Sequence, residues 1–283
     1  MKKVLVIGEN SYIGKSFQEF AKEGFKVFLT GARNDEWKNF DFAGFDSVVH
    51  CAGIAHVPRK STSESLYYEV NCDLAARVAK KSKECGAGQF IYLSSMSVYN
   101  SSEVYITLKT NPSPECAYGA SKLKAEQLLQ GLSCPDFKIC IVRPPMVYGR
   151  GCKGNFPRLV KLAKWLPVFP DINNQRSMIY IENLCAFIGF AINGNFTGVF
   201  LPQNREYVNT TQLVKSITML QGKTIRTTKL FNPVISLLEN KFLPLGKMFG
   251  SMVYEHGALE EEYNIVGFDE SIKRCVNGFP KIS

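Results

Sequence analysis

A chain of 283 residues, 45% hydrophobic and 21% charged, can bury a substantial core as one large domain or as two lobes. Nine cysteines without a Cys-x-x-Cys pair, and three histidines (His50, His56, His256), argue against a zinc site and a disulfide framework and fit reduced thiols in a cytoplasm. The formal charge of +9 is dispersed without an aromatic-basic recognition motif, so it suits a small anionic substrate better than a nucleic acid.

The apolar run in Met1-Lys2-Lys3-Val4-Leu5-Val6-Ile7-Gly8 is too short for a signal peptide and reads as a first strand, Val4–Ile7. It ends in Gly8-Glu9-Asn10-Ser11-Tyr12-Ile13-Gly14, and residues 15–23 read as a helix stopped by Gly24. Strand, tight glycine turn and helix start together make an anion site, because backbone amides and the helix dipole face a pyrophosphate there. A second strand, Phe25–Leu29, runs into Thr30-Gly31-Ala32-Arg33, with no acid before Asp35. An acid after this strand would hold a ribose 2′-hydroxyl, and an arginine would accommodate a 2′-phosphate. Arg33 is either that arginine or a solvated loop charge.

Asp46–Gly53 is a further buried strand whose small carboxyl-end residues let a cofactor approach the backbone. His50, inside it, reads as a packed and hydrogen-bonded core residue. A helical stretch over residues 63–85 carries Asn71, and the strand Gln89–Leu93 runs into Ser94-Ser95-Met96-Ser97-Val98-Tyr99.

The central stretch is Ala117-Tyr118-Gly119-Ala120-Ser121-Lys122, which opens a helix predicted over residues 117–130. Residues four apart on a helix share a face, so the Tyr118 phenol and the Lys122 ammonium can serve one site. An ammonium nearby favours the phenolate and draws its pKa down from ~10, giving a proton donor or acceptor for a carbinol or carbonyl oxygen. With 12 tyrosines in the chain, roughly one Tyr-x-x-x-Lys arises by chance. A second match, Tyr105 to Lys109, is set aside because its β-branched setting predicts extended chain, where four-residue spacing aligns nothing.

A strand over residues 137–142 ends in Arg143-Pro144-Pro145. Beyond Gly151 the spacing predicts a helix over 155–166, a strand over 177–181, a helix over 182–192 and a strand over 199–201. The stretch from Phe231 to Phe249 is apolar but broken by Glu239, Lys241 and Lys247, so nothing in the chain is predicted to span a membrane. In it Val234, Leu237, Leu238 and Phe242 sit at helical spacing before Pro244 and Gly246, and read as core-packing or as a basic, apolar contact with a membrane surface or partner.

Taken in order, Gly8–Gly14, His50–Gly53, Asn71, Ser94-Ser95-x-x-Val98-Tyr99, Tyr118–Lys122 and Arg143-Pro144-Pro145-x-Val147-Tyr148-Gly149 resemble the extended short-chain dehydrogenase/reductase family, in its nucleotide-sugar epimerase, dehydratase and 4-keto reductase group. The resemblance covers about residues 1–150 and continues more loosely beyond. It implies an α/β fold: a Rossmann-type doubly wound parallel sheet over 1–150 and a smaller C-terminal α/β substrate lobe over 151–283, with the chain interleaving between them. Ser95, Tyr118 and Lys122 are its implied catalytic residues, with Ser97 the alternative to Ser95. The implied cofactor shell is Gly8, Ser11, Tyr12, Ile13 and Gly14, then Arg33, Asp41 and Phe42, then Cys51, Ala52 and Gly53. Asn71, Leu93, Ser94 and Pro144 complete it with Tyr118 and Lys122. Ser95, Met146, Asn155, Phe156 and Arg176 would meet the substrate, Arg176 on its diphosphate, where a guanidinium fork suits two phosphate oxygens. A surface ion pair is the other reading of Arg176.

The activity expected is NADP(H)-dependent reduction of a UDP-4-keto-6-deoxy-hexosamine at C4, with NAD(H) the alternative cofactor. A UDP-hexose 4-epimerase using the same Ser, Tyr and Lys is the rival reading. A catalytically idle dinucleotide-binding regulator is a more distant one, and a homodimer is compatible with all of them.

Overall fold

A computed structural model describes residues 1–55, 63–233, 237, 246 and 249–276. Val234, Leu238, Phe242 and Pro244 of the apolar stretch, and His56, lie outside the described residues. The described strands are β1 Lys2–Ile7, β2 Phe25–Thr30, β3 Ser47–His50, β4 Gln89–Leu93, β5 Tyr105–Ile106, β6 Lys138–Val142, β7 Met146–Tyr148, β8 Val168–Pro170, β9 Met178–Tyr180, β10 Gly198–Phe200, β11 Arg226–Thr228 and β12 Val253–Tyr254. The helices are α1 Tyr12–Phe20, α2 Glu36–Asn39, α3 Glu64–Tyr68, α4 Leu74–Glu84, α5 Ala117–Gln130, α6 Asn155–Trp165, α7 Ile181–Asn193, α8 Thr210–Leu220, α9 Glu260–Tyr263 and α10 Phe268–Val276.

Six strands form one parallel sheet in the order β10-β6-β4-β3-β1-β2. The chain steps from β1 to one edge, returns, and fills the other side, so β1 and β3 flank the point where strand order reverses. Ligands of open α/β sheets bind outside the strand carboxyl ends at such a point. β3 and β4 are buried at every residue and β1 over its last four, as expected of inner parallel strands covered on both faces. Edge strand β2 alternates instead. The strand expected near Val199 is β10, and it completes this large sheet beside β6 rather than joining the elements after Gly151.

Two compact units share the chain. One comprises residues 1–100, 111–144 and 184–202 and holds the large sheet. The other comprises 101–110, 145–183 and 203–283 and holds three two-stranded parallel pairs, β11-β8, β12-β5 and β7-β9. Tyr105 lies in β5, in extended chain as its composition predicts.

Two helix boundaries differ from the sequence reading for local reasons. α1 starts at Tyr12, before Lys15, because Ser11 adopts an extended conformation (φ −70°) and accepts a hydrogen bond from the Gly14 amide as N-cap. The helix predicted over 63–85 is interrupted at Glu69–Asp73 by a π-helical turn, a distortion common at functional sites. Asn71 sits in that turn.

Candidate active site

The turn after β1 is built by close approach. Gly8 has φ +113°, and a Cβ on it would stand 3.0 Å from the Ala52 amide nitrogen. A Cβ on Gly14 would stand 3.1 Å from the Gly8 carbonyl oxygen. β1, the start of α1 and the end of β3 therefore touch through glycines, leaving a backbone-lined cradle at the helix N-terminus. Ser11 carries its side chain there in an ordinary extended conformation. Tyr12 and Ile13 are half-buried in the first turn of α1.

β3 continues into Cys51, Ala52 and Gly53. A Cβ on Gly53 would meet Asn71 Oδ1 at 2.9 Å and Lys122 Nζ at 3.2 Å, so this glycine admits both side chains. Asn71 is wholly buried; its Oδ1 accepts from the Ile54 amide (2.9 Å) and its Nδ2 donates to Ser121 Oγ (3.1 Å) on α5. It thus fastens the loop after β3 to the helix that carries Tyr118.

Lys122 is buried, donates to the Leu93 carbonyl (2.7 Å) and lies 4.7 Å from the centre of the Tyr92 ring. Burial lowers its pKa to about 8. Tyr118 is half-buried, with Ser95 hydrogen-bonded to its hydroxyl. Ser95 Oγ also accepts from the Ser97 amide (3.1 Å), so Ser95, the first choice of the two serines, reaches the phenol while Ser97 supplies backbone.

The expectation that Lys122 lowers the Tyr118 pKa does not hold in this structure. Loss of solvent raises the phenol, the Ser95 hydrogen bond opposes that, and Cys116 and Tyr67 raise it further. The lysine acts instead on His50 and Cys51. Tyr118 is therefore protonated at neutral pH. His50 is packed as expected, stacked on Tyr92 with ring centres 5.9 Å apart, but neither ring nitrogen has a hydrogen-bond partner among the described residues. Burial, followed by Lys122, lowers its pKa to about 3 and keeps it neutral.

Behind Tyr118 and Lys122 lies a cluster the sequence reading missed. Glu126, one turn past Lys122, accepts from Ser94 Oγ, from Arg143 Nε (3.0 Å) and from Arg143 Nη2 (2.5 Å). Arg143 Nη1 donates to the Tyr99 hydroxyl (2.6 Å). The i, i+4, i+8 spacing of Tyr118, Lys122 and Glu126 was the available signal. Gly119 was missed too: a Cβ there would stand 2.1 Å from the Ser97 carbonyl oxygen, so only glycine lets α5 close on the serine turn. The Pro144 carbonyl accepts from the Met96 amide (3.0 Å) and steadies that turn.

After β2, a Cβ on Gly31 would stand 1.6 Å from Glu36 Oε2. The chain turns through Asn34 and Asp35, both at positive φ, and brings the Glu36 carboxylate back to the strand's carboxyl end. The sequence spacing concealed this, since Glu36 lies six residues past Thr30. Arg33 is exposed close by. Asp41 is exposed and accepts from the Ala43 amide (2.9 Å), and the Phe42 ring is wholly buried, so Phe42 could offer a ligand backbone alone.

Met146, Asn155, Phe156 and Arg176 belong to the second unit. Met146 opens β7 and Asn155 opens α6, both half-buried. The Phe156 ring is wholly buried 5.2 Å from the Tyr148 ring, as core packing. Arg176 Nη1 donates to the carbonyls of Gly246 (3.3 Å) and Gly250 (2.7 Å). Its Nε is buried without a partner among the described residues, and burial pushes its pKa down to about 10. Among the described residues Arg176 forms no ion pair.

The model of the family described as "NAD dependent epimerase/dehydratase family" matches residues 4–199, more than half the chain. The chain belongs to this family. A UDP-glucose 4-epimerase of Vibrio cholerae is 36% identical over 187 residues, which are 62% of this chain and 57% of that protein. An N-acetyl-alpha-D-glucosaminyl-diphospho-ditrans,octacis-undecaprenol 4-epimerase of Escherichia coli O157:H7 is 26% identical over 270 residues, 87% of this chain and 81% of that protein. Among solved structures, RMD of Pseudomonas aeruginosa complexed with NADPH superposes with a TM-score of 0.77 at 16% identity, covering 98% of this chain and 99% of that one. UDP-glucuronic acid 4-epimerase of Bacillus cereus in complex with NAD gives 0.75 at 18% identity, covering 98% of each. These superpositions show the Rossmann-type fold. Among the described residues no group of three His, Cys, Asp or Glu side chains could hold a metal, and no helix is long and apolar enough to cross a membrane.

Proposed function

We propose that this protein is an NAD-dependent 4-epimerase of a nucleotide-linked hexose, with Tyr118 as the proton-transferring group. The observation that carries the reading is the Glu36 carboxylate at the carboxyl end of β2. An acid at that place suits a ribose diol, and therefore NAD, which an epimerase holds and recycles within each turnover. The expectation of NADPH rested on finding no acid there in the sequence, and the fold supplies one. The curated relatives, both named as 4-epimerases, support the same choice.

The glycine cradle fits a dinucleotide: Gly8 and Gly14 bring backbone and helix N-terminus within reach of a pyrophosphate. Bound there, the nicotinamide supplies reversible hydride transfer at a sugar carbon. Tyr118, a phenol in the free protein, would have to ionise when the ligands bind in order to take the proton of the sugar's 4-hydroxyl. It would return that proton to the oxygen of the 4-keto form, with Ser95 holding the oxygen through a hydrogen bond. Lys122 would hold the ribose beside Tyr118, and Asn71 would keep α5 and the β3 loop in register. Arg176 would take the substrate diphosphate in the second unit.

Purified protein should interconvert UDP-glucose and UDP-galactose, or their N-acetylamino counterparts, without added cofactor. Tyr118→Phe should slow this by about 10²–10⁴ with the fold retained. Protein that instead consumes NADPH stoichiometrically on a UDP-4-keto-6-deoxy sugar would replace this reading by the reductase. Arg33, exposed beside the same turn, is the observation that favours that second reading.

A further inference from the structure

The second unit exposes large apolar side chains where two helices end together. α6 packs on α8, and β8 and β11, the strands that follow them, pair in parallel, so both helix ends fall at the amino end of the same two-stranded sheet. α6 buries Leu159, Val160 and Ala163, and α8 buries Leu213, Val214 and Ile217. Two residues after each buried stretch the chain presents Trp165, 77% exposed, and Met219, 71% exposed. Leu166 beside them is exposed as well.

Along the two segments that carry these side chains, the charge is of one sign in sequence. Residues 151–170 contain four Lys or Arg and no Asp or Glu, and residues 207–233 contain four and none. A chain with 25 acidic residues in 283 would place about four in stretches of this combined length if they were spread evenly. Lys161, Lys223 and Arg226 are exposed at this end of the unit. Large apolar side chains cluster on a soluble surface where something binds. An exposed tryptophan on segments whose charges are all basic fits the headgroup level of an anionic bilayer, where the ring enters the interface and the cations meet lipid phosphates.

We propose that this face, centred on Trp165, Leu166 and Met219 and rimmed by Lys161, Lys223 and Arg226, docks the protein on the surface of an anionic phospholipid membrane. Protein–protein contact is the competing use of such a face, and the charge decides between them. A core of contact with another protein is depleted in lysine, whereas anionic lipid rewards each added cation.

The chain reports on this directly. It has two tryptophans, and Trp37 is only 4% exposed, so a change in emission on binding comes from Trp165. With vesicles of phosphatidylcholine containing about a third phosphatidylglycerol, the protein should co-sediment and its emission should shift to shorter wavelength. Neutral phosphatidylcholine vesicles and raised ionic strength should abolish both effects. Each cation near such a surface strengthens binding roughly five-fold, so Lys223→Glu with Arg226→Glu should weaken it by about 25-fold or more. Trp165→Ser and Met219→Ser should weaken it further while leaving thermal unfolding and activity unchanged, since both side chains are exposed. Lys80→Glu, on the first unit, serves as the control and should leave binding unchanged. No binding to anionic vesicles, or binding indifferent to the charge reversals, would overturn the proposal. So would a dimer that Trp165→Ser dissociates while vesicles leave the wild type in solution, for then the face joins two copies of the chain.

Discussion

Arg143 and Arg176 are both arginines with enclosed guanidinium groups, and they differ in what faces the charge. Arg143 grips the Glu126 carboxylate through two of its nitrogens and the Tyr99 hydroxyl through the third, and these bonds raise its pKa despite burial. Among the described residues Arg176 meets two backbone carbonyls, and burial pushes its pKa down to about 10. An enclosed cation with its carboxylate holds a structure together; one without pays for its burial until an anion arrives. The first therefore reads as the frame of the serine turn, and the second suits the role proposed above for it, meeting a diphosphate.

The largest test of that contrast is stability. Arg143→Met leaves Glu126 charged and buried and should cost roughly 3–5 kcal/mol in denaturant unfolding. The pair Arg143→Met with Glu126→Leu should recover most of that loss. If the single variant is as stable as wild type, the ion pair frames nothing.

Lys122 adds a third buried cation, without a carboxylate bond among the described residues, and its linkage can be followed with pH. Its pKa falls from 10.5 to about 8 on folding. Between those values the unfolded chain holds a proton that the folded one has released, so stability from this group rises with pH across that window. The gain should be roughly 3 kcal/mol relative to Lys122→Met, which titrates nothing there. Equal slopes for the two proteins from pH 8 to 10.5 would show that Lys122 is stabilised as a cation by contacts other than those seen here.

For Arg176 the expected effect is on ligand and not on fold. Arg176→Met should leave stability against unfolding unchanged or slightly raised. Affinity for UDP should fall by about 10–100-fold, the worth of hydrogen bonds to a charged group. Unaltered UDP affinity in calorimetry would make Arg176 a structural tie between Gly246 and Gly250.

What the sequence discloses follows from how local each signal is. The 117–130 helix forms over the predicted residues, because strong helix formers act within a few residues of themselves. The serine turn and the glycine cradle were legible from residue type, since positive φ and close backbone approach demand glycine. Glu126 with Arg143, and Glu36 with Gly31, were not. Each pairing depends on where the fold returns the chain, 17 residues along in the first case and around two left-handed residues in the second. The lowered phenol pKa failed for a similar reason. Four-residue spacing places Lys122 on the right face, but its ammonium is taken by the Leu93 carbonyl and the Tyr92 ring.

The smallest effect expected is at the β2 turn, where neither charge is buried and each is screened by solvent. Glu36 and Arg33 present opposite charges close to one another, so they sort cofactors by the presence of a 2′-phosphate. An acid there repels that phosphate and accepts a ribose hydroxyl; the arginine does the reverse. Exposed charge contacts are worth about 1 kcal/mol or less, so several-fold changes are the scale to look for. Glu36→Gln should weaken NAD by several-fold and improve NADP by a similar factor, read by titrating each cofactor into ligand-free protein. Arg33→Ala should then change NAD little, because the diol gives a guanidinium no anion to hold. Should Glu36→Gln leave NAD untouched while Arg33→Ala alone weakens NADP, the carboxylate against Gly31 is a resting rotamer, and the turn belongs to a phosphate-reading reductase.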